Sequence, residues 1–337
     1  MLDGITVLDL SVFGPGARCS RALADYGASI VKVGAPGGPQ PEFYAYGAGR
    51  GMTRIEIDLK TPEGRDDFLA RAVDADVVIE SFRPGVVDRL GIGYDTVRAL
   101  NERIVYCSTT GYGQTGPRSR WAGHDINYLA VGGFLHCSGR DADGVPALPG
   151  ATVADVAAGG MHATMSILAA LVSGRGAHLD VSVADGVLWM QSLYVDEYLA
   201  TGVVPGPGHN VLTGRYACYG VYRCRDEGAV AVGAIEPQFF ANLCRALGLD
   251  EWAAKQYEDD AQPELRARLS EALAARNRDD WVAELAAADC CVAPVLTIQE
   301  VVDDDQFAAR GAFVKASHRD HGEFVQVGPV LAGGVHE

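Results

Sequence analysis

Two side chains in this sequence have the type and setting for proton transfer. His124 stands in Gly123-His124-Asp125-Ile126-Asn127-Tyr128, and Asp155 in Ala154-Asp155-Val156-Ala157-Ala158-Gly159-Gly160. Each is a short polar island in small or apolar sequence. An imidazole and a carboxylate on opposite sides of one substrate carbon form a two-base proton-transfer pair. A lone loop histidine is more often structural, and an aspartate at a helix start more often an N-cap. For Asp155 the two roles are compatible. A helix N-terminus favours the carboxylate anion, and N–H groups there can receive a developing enolate oxygen. Ala157, Ala158, Gly159 and Gly160 are expected to leave room for a ligand at the backbone. Glu236, in Gly233-Ala234-Ile235-Glu236-Pro237-Gln238, ends a strand just ahead of a helix. A solvated or capping carboxylate is its default role; in the functional reading it orients His124.

Arg50, Arg54, Arg83 and Arg89, with Lys60 nearby, are candidates for binding a phosphate-bearing carrier. Guanidinium forks match phosphate oxygens two at a time. Arg83 lies in Ser81-Phe82-Arg83-Pro84-Gly85, just after a strand, where α/β folds bind ligands.

The elements that must position these groups alternate. Ile5–Leu10 reads as a strand, Ala17–Tyr26 as a helix closed by Gly27, and Ser29–Val33 as a second strand. This βαβ start implies a parallel sheet. The intervening loop lacks Gly-x-Gly-x-x-Gly, so no dinucleotide fingerprint is present. Thr61 and Pro62 open a helix as N-cap and first residue. Strands at 76–80 and 104–108 follow. Val156–Val172 reads as a buried helix, Leu179–Val183 as a strand and Asp185–Tyr198 as one long helix. The fold class is therefore α/β: a doubly wound parallel-sheet domain over residues 1–200, joined by the tail 310–337. A smaller α+β domain spans 210–305, with linkers at about 200–210, where Pro205-Gly206-Pro207-Gly208 breaks the pattern, and at 303–312.

Composition narrows the function classes. At 337 residues, two domains are expected. A net charge of −16 argues against nucleic-acid or anionic-membrane partners, although local arginines can still hold a small anion. No apolar run is expected to reach the roughly 18–20 residues of a membrane-spanning helix. The N-terminus has no basic leader, so a cytoplasmic protein is expected. The eight cysteines contain no Cys-x-x-Cys pair, so reduced thiols are expected and no metal site.

Several segments together resemble the α-methylacyl-CoA racemases of the family III CoA-transferase superfamily. They are Gly123–Tyr128, Ala154-Asp155, Gly233–Phe240 and Cys291-Val292-Ala293-Pro294-Val295-Leu296, with Asp58-Leu59-Lys60, Phe82–Val86 and Gly111–Pro117. The resemblance runs over nearly the whole chain. It implies a Rossmann-like large domain, a small domain and an interlaced homodimer, with the site between one subunit's large domain and the other's small domain. It implies that His124 and Asp155 are the two bases. Gly123, His124, Asp125, Ile126, Asn127 and Tyr128 would contact the thioester, and Ile57, Asp58, Leu59, Lys60, Arg83 and Arg89 would contact CoA. It implies no cofactor beyond the acyl-CoA substrate. The sequence departs from the family pattern at Gly34-Ala35, where an arginine usually meets a CoA phosphate, and at Thr213-Gly214-Arg215, where Asp-Gly-Gly is usual. Arg50 is a candidate to replace the first contact.

Three activities fit these residues. The first is a racemase or epimerase of 2-methylacyl-CoA thioesters working through an enolate. The second is a CoA-transferase with Asp155 as nucleophile, which would leave His124 without a chemical task. The third is an acyl-CoA-binding protein without catalysis.

Overall fold

A computed structural model describes residues 1–38, 49, 51–318 and 322–333. The chain forms two compact units, one of residues 1–135, 148–202 and 305–337 and one of residues 136–147 and 203–304.

The first unit is built on six strands: β1 (Thr6–Asp9), β2 (Ser29–Gly34), β3 (Thr53–Glu56), β4 (Val77–Glu80), β5 (Val105–Thr110) and β6 (Ala177–Ser182). All pair in parallel, in the order β3-β2-β1-β4-β5-β6. Helices cover both faces, and the central strands β4 and β5 are buried at every residue. Successive side chains go to opposite faces. Val7, Val77 and Val105 meet Leu23 of α1 (Gly14–Asp25) and Ile167 of a later helix. Leu8, Val78 and Tyr106 meet Phe68 of α2 (Pro62–Ala72) and Val87 of α3 (Val86–Arg89), with Val97 of α4 (Tyr94–Leu100) in the same cluster. Each fully buried aliphatic side chain contributes about 1.5–3 kcal/mol. Thr61 caps α2 through its hydroxyl, which accepts the Gly64 N–H at 3.0 Å, as the Thr-Pro signal predicts.

After β5 come α5 (Asp125–Val131) and a four-residue α6 (Phe134–Cys137). Then follows a helix not foreseen in kind. Ala154–Met161 is a π-helix, continued without a break by α7 (His162–Ser173). The π form is rare and is found frequently at functional sites. Together these 20 residues are apolar and long enough to cross a membrane by length and composition, contrary to expectation. They carry Asp155 and His162, and they pack against α1 and, through Ala163 and Ile167, into the sheet's core. The helix expected at 185–198 is two: α8 (Val183–Met190) and α9 (Ser192–Thr201), meeting at Gln191.

The tail returns to this unit through α14 (Asp305–Ala309) and the antiparallel pair β10 (Phe313–His318) and β11 (Gly322–Val327). Arg21 donates to the Val327 carbonyl at 3.2 Å and Tyr26 to that of Leu331 at 3.0 Å.

The second unit has a three-stranded antiparallel sheet of β7 (Tyr219–Arg223), β8 (Ala229–Gly233) and β9 (Val292–Pro294). It also holds α10 (Pro237–Ala246), α11 (Gln262–Leu273), α12 (Arg278–Ala287) and α13 (Ile298–Asp303). Its core gathers Phe240, Leu243, Leu265, Leu269 and Trp281.

Candidate active site

The strand order reverses between β1 and β4, and ligands of doubly wound sheets bind outside the carboxyl ends of strands at that point. A cleft of about 510 Å³ opens there. Its walls are Phe13, Gly14 and Pro15 after β1, Ser81, Phe82, Arg83 and Pro84 after β4, and Thr110, Gly111 and Tyr112 at the end of β5. His124, Asn127, Tyr128 and Asp155 also line it.

His124 is the extended N-cap residue of α5, with φ −128° and ψ 179°. Its backbone N–H donates to Asn127 Oδ1 at 2.9 Å, which fixes the turn and leaves the imidazole on the exposed wall. Tyr128 anchors the same turn: its hydroxyl donates to the Gly123 carbonyl at 2.6 Å. The ring lies against two glycines. A Cβ on Gly111 would stand 2.3 Å from it, and one on Gly123 2.7 Å. Tyr112 packs edge-on against Tyr128 at 5.2 Å, and Trp121 against Tyr112 at 6.2 Å.

Asp155 lies in the first turn of the π-helix rather than at its cap, which is Val153. Its carboxylate reaches the start of α1. Gly14, at φ +70°, is left-handed there, and a Cβ on it would stand 3.9 Å from Asp155 Oδ2. Burial pushes the Asp155 carboxyl up to about 6, Asp125 adds to the rise, and His124 and Arg18 oppose it. His124 is thus near enough to act on Asp155 electrostatically. The Tyr128 hydroxyl is raised to about 12, chiefly by burial, with Asp155 adding.

Two expectations about this helix are corrected. The small residues were to leave room for a ligand, but α1 and α8 fill that room. A Cβ on Gly159 would lie 2.5 Å from Pro15 Cβ, and one on Gly160 2.6 Å from Arg18 Cβ. The Ala158 carbonyl lies 2.0 Å from where a Cβ on Gly186 would stand. The N–H groups near Asp155 were to receive an enolate oxygen. Instead the Asp155 N–H donates to Asp125 Oδ1 at 2.8 Å and the Val156 N–H to the Thr152 carbonyl. Donors without a partner among the described residues occur at α5, where the Asp125 and Ile126 N–H groups precede the first intrahelical bond.

Among the carrier-binding candidates, Arg83 lines the cleft. Arg89 ends α3, close to Gly85. Arg54 lies on β3, where its guanidinium sits 3.2 Å from the place a Cβ on Gly34 would occupy. Arg54, Arg83 and Arg89 are exposed and make no ion pair among the described residues. Arg50 lies outside the described residues. Ile57 is buried in the core, so only its backbone is available to a ligand. Asp58 accepts the Lys60 N–H at 3.1 Å, Leu59 is half-buried and Lys60 exposed. Ile126 is exposed beside His124.

Glu236 belongs to the second unit, as the extended N-cap residue of α10. Gln256 holds the segment before it by donating to the Ala234 and Ile235 carbonyls at 3.0 and 2.7 Å, and Tyr257 donates to the latter.

Residues not singled out from the sequence include Arg18, Thr109 and Thr110. The hydroxyls of both threonines are buried at the cleft wall and have no partner among the described residues. Buried polar atoms are rarely left so, which marks this wall as a place for a ligand. Their position at the end of β5 was the signal available.

Residues 2–334 match the model of the CoA-transferase family III. The chain is 36% identical over 326 residues to the human alpha-methylacyl-CoA racemase, covering 95% of this chain and 84% of that protein. It is 31% identical over 342 residues to the acetyl-CoA:oxalate CoA-transferase of Acetobacter aceti, covering 93% and 85%. A CAIB/BAIF family protein from Brucella suis superposes with a TM-score of 0.80 at 30% identity, covering 93% and 88% of the two chains.

Proposed function

Because the chain belongs to the CoA-transferase family III, an acyl-CoA thioester is its substrate class, and we propose that it is an isomerase interconverting R and S 2-methyl-branched acyl-CoA thioesters. The thioester carbonyl acidifies the α-hydrogen. One base removes that proton and leaves a planar enolate. The conjugate acid of the other base then protonates the opposite face, so bonds and charge balance without an added oxidant or reductant. His124 and Asp155 exchange these roles for the two epimers. The N–H groups of Asp125 and Ile126 are the donors proposed for the enolate oxygen, and removing one such donor typically costs roughly 3–4 kcal/mol of barrier lowering. The observation that carries this reading is that His124 and Asp155 line one cleft, with the Asp155 carboxyl raised to about 6. Such a group both takes and gives protons near neutrality.

Arg54 and Arg83 are proposed to bind CoA phosphates, since both guanidinium groups are exposed without an ion pair among the described residues. Glu236 is proposed to orient His124. We take the chain to work as a homodimer in the cytoplasm. Leu188, Trp189, Leu193 and Leu199 leave an apolar face of α8 and α9 exposed, which a second copy would cover.

The test is α-proton exchange. A single epimer of a branched acyl-CoA in heavy water is expected to gain deuterium and racemise, and His124→Ala and Asp155→Asn are expected to abolish this while staying folded. Absence of exchange with every branched thioester tried would end the proposal. CoA transfer is the second reading, favoured by the Acetobacter relative. Trapping an acyl-aspartate at Asp155 with hydroxylamine would support it.

A further inference from the structure

Asp125 neighbours the proton-transfer pair in sequence, yet its side chain is turned to a different task. Its Oδ1 accepts the backbone N–H of Asp155 at 2.8 Å, across 30 residues of chain. That bond joins the first residue of α5 to the first turn of the π-helix. It is half-buried and so is Asp125 itself.

We propose that Asp125 is the positioning residue of this site: its carboxylate ties the turn bearing Asp155 to the turn bearing His124, and its negative charge keeps Asp155 able to give a proton as well as take one. This rests on the two-base reading above and deepens it.

The argument has a geometric and an electrostatic part. The π-helix packs through glycines on α1 and α8, with no side chain of its own at Gly159 or Gly160 to fix its rotation. A charge-assisted bond to the Asp155 N–H supplies such a constraint at the residue whose direction matters. The same carboxylate is close enough to raise the Asp155 carboxyl electrostatically. Like charges side by side favour a proton on one of them. The charged and titratable groups acting on Asp155 are Asp125 and His124 at the start of α5 and Arg18 on α1; Tyr128 of α5 is coupled to it as well. From α8, Val183, Gly186 and Val187 pack against the π-helix, and none of them carries a charge. Burial is the largest cause of the rise at Asp155 and Asp125 the second, so both contribute.

Asp125→Asn separates the two parts, because the amide oxygen still accepts the Asp155 N–H while the charge is gone. The Asp155 carboxyl can be titrated directly by carbon NMR on protein labelled at aspartate, assigned with Asp155→Asn, and without substrate. In the native protein a midpoint of about 6 is expected. In Asp125→Asn it is expected to fall toward the ordinary carboxylate range, and the acid limb of kcat/KM for α-proton exchange to move to lower pH with it. KM for the thioester is expected to stay within about twofold. Asp125→Ala also removes the acceptor, and kcat is expected to fall at least about tenfold below that of Asp125→Asn. An unchanged Asp155 midpoint in Asp125→Asn overturns the electrostatic part. Equal kcat in Asp125→Asn and Asp125→Ala overturns the geometric part. If no thioester is exchanged at all, the two-base reading fails while the substrate-free titration still decides the role of Asp125's charge.

Discussion

Replacing Gly111 by alanine tests whether the Tyr128 ring holds the histidine turn. The added Cβ would meet Tyr128 Cε1 at 2.3 Å and its hydroxyl at 2.6 Å, closer than any carbon tolerates. The ring is 8% exposed and packed with Leu129, Ala158 and Val187, so it has little room to withdraw. Overpacking of this kind costs about 1–3 kcal/mol. If the ring does swing away, its bond to the Gly123 carbonyl is lost, at about 1 kcal/mol. Together the change is expected to destabilise the first unit by roughly 2–4 kcal/mol, lowering its melting temperature by about 5–10 °C. The Gly123-His124 turn should move with the ring, so kcat for α-proton exchange should fall more than KM rises. The control is a double-mutant cycle. In a Tyr128→Leu background the ring edge is gone, and adding Gly111→Ala should cost less than about 1 kcal/mol. Thermal melts and exchange rates of the four proteins decide the matter. If Gly111→Ala costs the same in both backgrounds, the clash with Tyr128 is not what makes glycine necessary.

Two other perturbations follow from buried or unpaired charge. Burial pushes the Glu80 carboxyl up to about 7 despite hydrogen bonds from Ser108 and the Phe82 N–H, with Asp88 and Asp180 adding smaller rises. A carboxyl raised on folding contributes stability below its ordinary value near 4.5 and loses it as pH rises through about 7. Glu80→Gln is therefore expected to gain stability relative to the native protein between pH 5 and pH 8, by about 3 kcal/mol at most. Denaturant melts at the two pH values measure this, and a pH-independent difference would contradict it. Arg54, packed over Gly34 at the end of β2, is expected to read a CoA phosphate in place of a side chain at 34. Calorimetry with Arg54→Gln should show CoA binding about tenfold weaker but dephospho-CoA, which lacks only the 3′-phosphate, within about twofold; equal losses for both would count against a contact to the 3′-phosphate.

The alternation of strands and helices was legible because period-2 and period-3.6 patterns depend on local sequence. Val7-Leu8, Val77-Val78 and Val105-Tyr106 each send one residue to each face of the sheet. Thr61-Pro62 signalled a helix start that the structure bears out. The small-residue run at 157–160 was legible as a close approach, but not what approaches. Glycine at 159 reads alike whether a ligand or Pro15 lies over it, and only the tertiary structure distinguishes them. The π-helix was hidden for a related reason. An apolar run specifies burial, while one extra residue per turn is set by what the turn must meet.

The same limit explains why Asp125 read from sequence only as a ligand-contacting neighbour of His124. Its partner is 30 residues away in the chain, and nothing local announces the bond. Yet that bond bears directly on what the site can do. In a transferase, Asp155 as nucleophile must be ionised, and a second carboxylate beside it works against ionisation. In an isomerase, Asp155 must also hold a proton for part of each cycle, and the same neighbour helps it do so. The open N–H groups at α5 follow the histidine directly in the chain. An enolate oxygen formed between the two bases can use such donors. On the proposed reading, the arrangement around Asp155 suits a carboxyl that takes and gives a proton in turn.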